Sequence, residues 1–507
     1  QTGYSGRAVT LVVEDEGRIA ASQAVTLPPD GESSTVPIRF TAADAGPRTF
    51  RFRIAPLDGE QVVQNNVRDA LIEVWDRKEK VLYFEGEPRF ETKFLRRAVE
   101  DDKNLQVSIL LRTAENKYWR GDVATADELA GGFPKTREEL FAYRAVILGS
   151  VEAAAFAPEQ LRMLADFVGV RGGSLLMLGG RRAFAEGGWG GTPVADVLPV
   201  VLDNERTAST FSPLSARPTR AGLAFPVTQI ADTEEASAEK WGTLAQVSTV
   251  NAVHAIKPGA TELLNAMDRR GQNQVVLAYQ RYGRGKAVAL PIQDSWTWKM
   301  DAKVPVTDTM HAMFWRRMVR WLVDGVPDQL NVATAHDRVE PGEPVPFTAE
   351  ALDTAYVAVN DARVEARVVA PSGKTMDVPL DWTVEHDGEY GGVFNPDEPG
   401  LYELQVTASR GQKELGRSTL HIRVSAGDAE YYDAGMRAPL LRRIAEETGG
   451  RFFTPANVAS LPDAISYSGR GVTVVEERAL WDMPALLLLV LGLVGAEWGY
   501  RRARGLA

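Results

Sequence analysis

Four short apolar runs separated by helical periodicity constrain this chain most. VLYFEG (81–86), LQVSILL (105–111), AVILGS (145–150) and SLLMLGG (174–180) are almost continuously apolar. Strands of this kind are buried on both faces, and a parallel sheet buries them by laying helices across each face. The helices are legible between them. EPRFETKFLRRAVED places Phe90, Phe94, Leu95 and Ala98 on one face. APEQLRMLADFVGVRGG turns Leu161, Leu164, Ala165 and Val168 inward and closes at Gly172 and Gly173. In TDTMHAMFWRRMVRWLVDG, Thr307 or Asp308 caps a helix with a stripe of Met310, Phe314, Met318, Trp321 and Leu322, ended by Gly325. QVVLAYQRYGRGKAVALP reads as a hairpin turning at GRGK. TAENKYWRG reads as a polar loop, and residues 205–270 as an insertion with short strands of its own. The expectation is an α/β domain with a parallel sheet over 78–327.

Period-two alternation takes over on either side. In residues 1–77, VTLVVE, STVPIRF, RTFRFRI and ALIEVW alternate between the turn clusters PPDGESS and AADAGP, which predicts a β-sandwich. Pro327 marks the next boundary, and residues 328–426 predict a second sandwich. GEYGGVFNPDEPGLYELQVTAS reads as its closing hairpin, with Tyr390 and Tyr402 in the core. Residues 427–478 predict a small α+β segment: a helix at PLLRRIAEETGG, a strand at RFFTP and a short helix near LPDAI. The opening at Gln1 has neither the cationic start nor the apolar run of a signal peptide. It reads as β-structure under way, with further chain expected upstream.

Residues 479–507 carry ALWDMPALLLLVLGLVGAEWGYRRAR. The uninterrupted apolar core, Met483–Ala496, is about 14 residues, a length that suits a buried helix as well as a membrane span. The flanks favour the span. Trp481 lies at one edge, and Trp498 and Tyr500 at the other, as interfacial anchors do. From Trp481 to Tyr500 a helix covers about 30 Å. Arg501, Arg502 and Arg504 follow, so the positive-inside rule puts this tail in the cytoplasm and the rest outside. The formal net charge of −11 gives no basic footprint for nucleic acid.

VLYFEGEPRFETKFLRRAVEDDKNLQVSILLRTAENKYWRG, AVILGS, FVGVRGGSLLMLGGRRAFAEGGWGGTPVADVLPV, LPIQDSWTWKM and HAMFWRRMVRWL together resemble the glutamine-amidotransferase-like domain of large bacterial envelope proteins. The resemblance implies a flavodoxin-like sheet domain between two immunoglobulin-like β-sandwiches, and a C-terminal transmembrane helix ending in a Glu-Trp…Arg-Arg string. The end of the first module, VVQNNVRDALIEVWDRK, resembles the last hairpin of immunoglobulin-like adhesion modules. Some family members also carry a von Willebrand factor A-type domain. The resemblance implies residence in the bacterial inner membrane with the bulk extracytoplasmic. It also implies other envelope proteins as partners, among them von Willebrand-type proteins and MoxR-type ATPases.

Class I amidotransferases hold a nucleophilic Cys on a tight turn after a central strand, activated by a His and a Glu. The comparable turn here reads Gly179-Gly180-Arg181-Arg182, and the chain contains no Cys. The late loop offers Asp294, Ser295 and Trp296 rather than a His–Glu pair. Glutamine hydrolysis by the family mechanism is therefore excluded by residue identity. Ser150 with Glu152 two residues on is not a G-x-S-x-G elbow. His254 and His311 stand alone, GRGK lacks phosphate-loop spacing, and no metal or cofactor is expected.

What remains is a cleft at the carboxyl ends of the strands. Its candidate residues are Glu85, Arg89, Ser150, Gly179, Gly180, Arg181, Arg182, Glu186, Trp189, Asp294, Trp296 and Trp298. Either they hold a ligand or partner loop, or the arginines pair with Glu85, Glu186 or Asp294 and brace the loops. Two functions stay open: a non-catalytic, membrane-anchored binding or assembly protein, or a hydrolase or transferase using a non-Cys residue of the cleft.

Overall fold

The computed structural model describes residues 3–60, 62–202, 211–231, 233–336, 338–425, 436–465 and 483–505. Readings that fall on 205–210, 427–435 and 466–482, Trp481 included, lie outside the described residues. The chain divides into two compact units, Gln1–Tyr432 and Asp433–Ala507.

The first unit opens with β1 (Ala8–Asp15), β2 (Arg18–Thr26), β3 (Gly46–Ile54) and β4 (Val67–Val74), one antiparallel sheet in the order β2-β1-β3-β4. Among the described residues this stretch builds a single sheet, not the two of a sandwich. STVPIRF is not a strand, since Pro37 interrupts the run and cannot donate to a ladder. Its Phe40 instead covers Phe50, with ring centroids 4.7 Å apart. VVQNNVRDALIEVW is not a hairpin; a helical turn at Gln64–Asn66 leads into the lone strand β4.

The α/β domain follows as β5 (Glu79–Glu85), α1 (Phe90–Val99), β6 (Leu105–Ala114), β7 (Lys117–Gly121), α2 (Arg137–Phe141), β8 (Ala145–Leu148), α3 (Pro158–Gly169), β9 (Ser174–Leu178) and α4 (Pro193–Val197). It continues with β10 (Ser212–Leu214), β11 (Arg217–Pro218), α5 (Arg220–Leu223), α6 (Glu234–Thr243), β12 (Val247–Thr249), β13 (Thr261–Met267), β14 (Asn273–Tyr282), β15 (Gly285–Leu290), α7 (Thr297–Met300) and α8 (Met310–Val323). Nine strands form one sheet in the order β11-β13-β14-β15-β9-β8-β5-β6-β7.

The central five, β15-β9-β8-β5-β6, pair in parallel. The flanking strands pair antiparallel, so the sheet is mixed and the all-parallel expectation is corrected. TAENKYWRG proves to be a hairpin: Asn116 takes φ 58° and the chain returns as β7. The insertion does not stand apart either, because β11 and β13 extend the sheet edge. The β14–β15 hairpin turns at GRGK as read.

Period-two alternation sends Val81 and Tyr83 of β5 to one core, with α1 and α8, and Leu82 and Phe84 to the other, with α3 and α4. The helix faces differ in detail from the sequence reading. In α1 the buried residues are Glu91, Thr92, Leu95, Ala98 and Val99, while Phe90 is 61% exposed. In α3 they are Met163, Leu164, Phe167 and Val168. In α8 Trp315 and Val319 join the stripe and Trp321 stays half-buried. The expected cap is corrected: the N-cap residue is Thr309, whose side chain makes no capping bond, while Asp308, one residue earlier, accepts the Met310 amide at 2.7 Å.

Residues 330–424 contain β16 (Leu330–Thr334), β17 (Arg338–Val339), β18 (Val345–Ala351), β19 (Arg363–Val369), β20 (Thr375–Pro379), β21 (Asp381–Trp382), β22 (Glu389–Phe394), β23 (Gly400–Arg410) and β24 (Lys413–Val424). They form two sheets, β16-β18-β22-β21 and β17-β24-β23-β19-β20, around one core that buries Tyr390 and Tyr402. The expected closing hairpin is not one. β22 and β23 lie in different sheets, and Pro396 and Pro399 between them carry the chain across. Arginines clamp the junction with the α/β domain. Arg144 binds the Val326 carbonyl and Asp328, Arg171 binds the Pro327 carbonyl, and Arg284 forks onto Glu350 at 2.6 and 2.7 Å.

The second unit contains α9 (Ala438–Glu447), α10 (Leu461–Ala464) and α11 (Pro484–Ala503). RFFTP forms no strand. Helix α11 has 20 residues and is long and apolar enough to cross a membrane. At its end Glu497 pairs with Arg501 at 2.8 Å and Arg502 lies 5.2 Å over the Trp498 ring.

Candidate functional site

The site begins with a carboxylate placed where burial would ordinarily forbid it. Glu85 is the last residue of β5 and has no exposed surface. An unpaired ion there is costly, so its oxygens must be satisfied. They are. Tyr83 donates at 2.7 Å, the Ser150 amide at 2.8 Å, the Gly86 amide at 3.1 Å, and Arg89 through two nitrogens at 2.8 and 3.1 Å. Burial works against the Arg89 charge, but Glu85 outweighs it and holds the guanidinium above its ordinary pKa. A third Arg89 nitrogen donates to the Gly179 carbonyl at 2.7 Å. One arginine therefore ties the ends of β5 and β9 together.

The turn after β9 is built by close approach. A Cβ on Gly179 would lie 2.6 Å from the Ile292 nitrogen. A Cβ on Gly180 would lie 2.5 Å from the Ser150 Cβ and 3.1 Å from an Arg89 nitrogen. Asn251, fully buried, accepts from the Gly180 amide at 2.8 Å and donates to Glu186 at 2.6 Å. Residues 179–182 all avoid positive φ, whereas a nucleophile elbow is a strained turn. Gly180→Ala is expected to lower stability by about 1–3 kcal/mol, the cost of overpacking, read from the melting temperature.

In front of this floor lies a cavity of about 620 Å³, lined by Gly86, Arg112, Glu115, Tyr118, Glu152 and Arg182 among others. It opens over the carboxyl ends of β5 and β6 and the loops that follow β8 and β9, beside the β5–β8 boundary where the strand order reverses and α/β sheets bind ligands. Glu152 receives Arg112 at 2.7 Å and faces Arg182 at 3.7 Å. Burial works to raise the Glu152 pKa, but the hydrogen bond from Arg112 prevails and holds it low. The Arg182 amide donates to the Ser150 hydroxyl at 3.1 Å. A larger groove, about 820 Å³, crosses β19, β20, β23 and β24, but outward side chains of a sheet line it rather than converging loops.

The structure brings Glu85, Arg89, Ser150, Gly179, Gly180 and Arg182 together and disperses the others. Trp189 and Trp298 are buried in the two opposite cores. Trp296 packs on Phe90 at 5.3 Å. Asp294 accepts from the Ser248 amide at 2.6 Å and hydroxyl at 2.5 Å, bracing the late loop. Glu186 serves Asn251, and burial raises its pKa. Arg181 is exposed and makes no hydrogen bond or ion pair among the described residues. Of the bracing pairs foreseen, only Arg89–Glu85 forms as written; Arg182 meets Glu152 instead.

A second polar cluster escaped the sequence reading. Ser295 accepts the Trp315 indole N–H at 2.8 Å, meets His311 Nε2 at 3.2 Å and donates to Glu91. Burial raises the Glu91 pKa to about 7 and lowers that of His311 to about 4. The components match a Ser–His–acid triad, but the order does not. Glu91 bonds the serine rather than the histidine, and Ser295 has no exposed surface. The three residues lie on α1, the late loop and α8, and no sequence spacing links them.

Residues 98–324, less than half of the chain, match a family model described as "Putative glutamine amidotransferase". A glutamine-amidotransferase-like domain is therefore present. No curated protein matches the chain. Among solved structures it is similar to a β-galactosidase from Rahnella sp. R3, at 12% identity over 63% of this chain and 41% of that one, TM-score 0.27. A β-galactosidase from Bacillus circulans sp. alkalophilus gives 14% identity over 62% and 41%, TM-score 0.26. The Lin-41 filamin domain gives 14% identity over 20% of this chain and 95% of that one, TM-score 0.17. The chain spans about two fifths of the galactosidases. Likeness at these scores carries no argument.

Proposed function

We propose that the chain is a non-catalytic, membrane-anchored cell-envelope protein whose amidotransferase-like domain serves as a binding and assembly module. The observation that carries this reading is the closed turn at Gly179–Gly180. Where the enzymes hold a nucleophile, Ser150 and Arg89 fill the space a side chain would need. The absence of cysteine from the chain points the same way. The crevice at Arg112, Glu152 and Arg182 is the recognition surface on this reading. The two-sheet module of residues 330–424 acts as an immunoglobulin-like spacer, and the single sheet β1–β4 as a second β-module beside it. Helix α11 acts as a single span of the bacterial inner membrane, with Arg501, Arg502 and Arg504 in the cytoplasm. Other envelope proteins are the partners.

The full chain in lipid nanodiscs is expected to release no ammonia from glutamine, with or without Gly180→Cys. Release by the unaltered protein sinks the reading. Capture from host membranes is expected to retain an envelope protein that the Arg112→Ala/Arg182→Ala variant loses. Hydrolase or transferase chemistry through a non-Cys residue is the second reading, favoured by the company of Ser295. A fluorophosphonate probe decides: labelling at Ser295 supports it, and the sealed position predicts none.

A further inference from the structure

The outer face of α1 carries a feature that the crevice does not explain. Phe90, Lys93, Phe94 and Arg97 follow the i, i+3, i+4, i+7 spacing that puts side chains on one side of a helix. Phe90 is 61% exposed. Trp296 packs beside it, 5.3 Å from the Phe90 ring and 6.2 Å from the Phe94 ring. Met300, one turn on from Trp296, is 60% exposed. Single exposed apolar residues need no explanation, but a contiguous aromatic patch does. These aromatics pack inward on one another yet leave their outer surface to solvent.

The cations around the patch give the second observation. Lys93, Arg97 and Arg181 are exposed, and none makes an ion pair or hydrogen bond among the described residues. Arg181 follows Gly180, which lies against the Arg89 guanidinium, one residue from Phe90. The neighbouring Arg96 shows the usual alternative, pairing with Asp122 at 2.7 Å. Glu91, the acid of the first helical turn, is turned into the core and neutralises nothing outside. Asp301, beside Met300, is occupied by the Lys303 amide, and Glu100 and Asp101 lie beyond the end of α1, so in a chain of net charge −11 the free cations Lys93 and Arg97 give this helix face a local field of opposite sign. Trp, Phe, Met and Arg are also the residues enriched in protein interfaces.

We infer that Phe90, Phe94, Trp296 and Met300, with Lys93 and Arg97 on the same helix face and Arg181 on the loop that packs against Arg89, form a docking surface for an acidic protein segment with an apolar anchor. The anchor packs on the aromatic platform while its carboxylates meet the three free cations. This inference rests on the binding-module reading and names the chemistry of the partner.

The test uses the full chain in nanodiscs of neutral lipid and two labelled twelve-residue peptides. Both carry Leu and Trp four residues apart, one flanked by Asp and Glu, the other by Lys. Anisotropy is expected to show saturable binding of the acidic peptide only, weakened at least tenfold by Phe90→Ser and by Arg97→Glu/Arg181→Glu, and weakened by salt. Both sets of substitutions are at exposed positions, and unchanged melting temperatures confirm that the fold survives. Equal binding of the two peptides, or binding indifferent to these substitutions, overturns the proposal. So does binding of phosphatidylglycerol vesicles through the same residues without binding of the acidic peptide. Failure here with crevice-dependent capture intact removes the patch and leaves the module reading standing. Failure of both removes the reading itself.

Discussion

Arg89→Ala is expected to cost the α/β domain about 3–5 kcal/mol, the loss typical when one partner of a buried ion pair is removed. Arg89 supplies two of the bonds that satisfy the buried Glu85 carboxylate and one that holds the Gly179 carbonyl. Without it, Glu85 keeps Tyr83, the Thr92 hydroxyl at 3.4 Å and two backbone amides but loses its only countercharge within bonding distance. Arg182→Ala is the control. Its side chain is half-exposed and only 3.7 Å from Glu152, so a change of less than about 0.5 kcal/mol is expected. Urea unfolding of the two variants measures the difference. Equal midpoints would mean that water reaches Glu85 and that the floor of the crevice is looser than its geometry. Pairing Arg89→Met with Glu85→Gln removes both charges and is expected to recover part of the loss.

The same network explains what the sequence could and could not disclose. The central strands were legible because continuous apolar runs bounded by glycine admit few other readings, and VLYFEG, AVILGS and SLLMLGG are all strands as expected. The antiparallel edges were not. Pairing direction depends on how the chain returns, and in TAENKYWRG that turned on Asn116 accepting a positive φ. The helical stripe of α1 misled for a related reason. Its register counts Phe90 as core, but Phe90 faces solvent, and Glu91 takes the inward place because Ser295 and the Trp296 amide donate to it.

Of the site, the strand-end residues were found by topology alone. The partners that give them meaning were not. Asn251 lies in the insertion, Arg112 at the far end of β6, and Glu91 and His311 on separate helices. Contacts of that kind are set by packing between distant segments, and one sequence carries no periodicity that reports them. The glycines are a partial exception. Gly179 and Gly180 read as a tight turn, but only the close approach of Ile292 and Ser150 shows that a side chain there would have to displace its neighbours. That distinction separates a site lacking its nucleophile from a site with no room for one.

The Glu91–Ser295–His311 cluster yields a pH signature that single substitutions should uncover. Burial pushes Glu91 from 4.5 up to about 7 and His311 from 6.5 down to about 4. Arg89 and Asp294 act on the first with opposite signs, and Lys299 adds to the depression of the second. Between about pH 4.5 and 6.5 the unfolded chain holds one proton on this pair, at His311. The folded chain also holds one, at Glu91. Folding therefore moves a proton from the histidine to the glutamate without net uptake, and the pair gives no slope of stability with pH in that window. Glu91→Gln leaves His311 alone. Its folded pKa is depressed, so stability should fall by about 3 kcal/mol as pH drops from 6.5 to 4. His311→Gln leaves Glu91 alone. Its folded pKa is raised, so the stability gained from its neutral form is full below 4.5 and should fall by a similar amount as pH rises to 7. Opposite slopes in the two variants, against a flatter unaltered protein, are the expected result in urea titrations from pH 4 to 8. Parallel slopes would show that burial does not push the two groups in opposite directions.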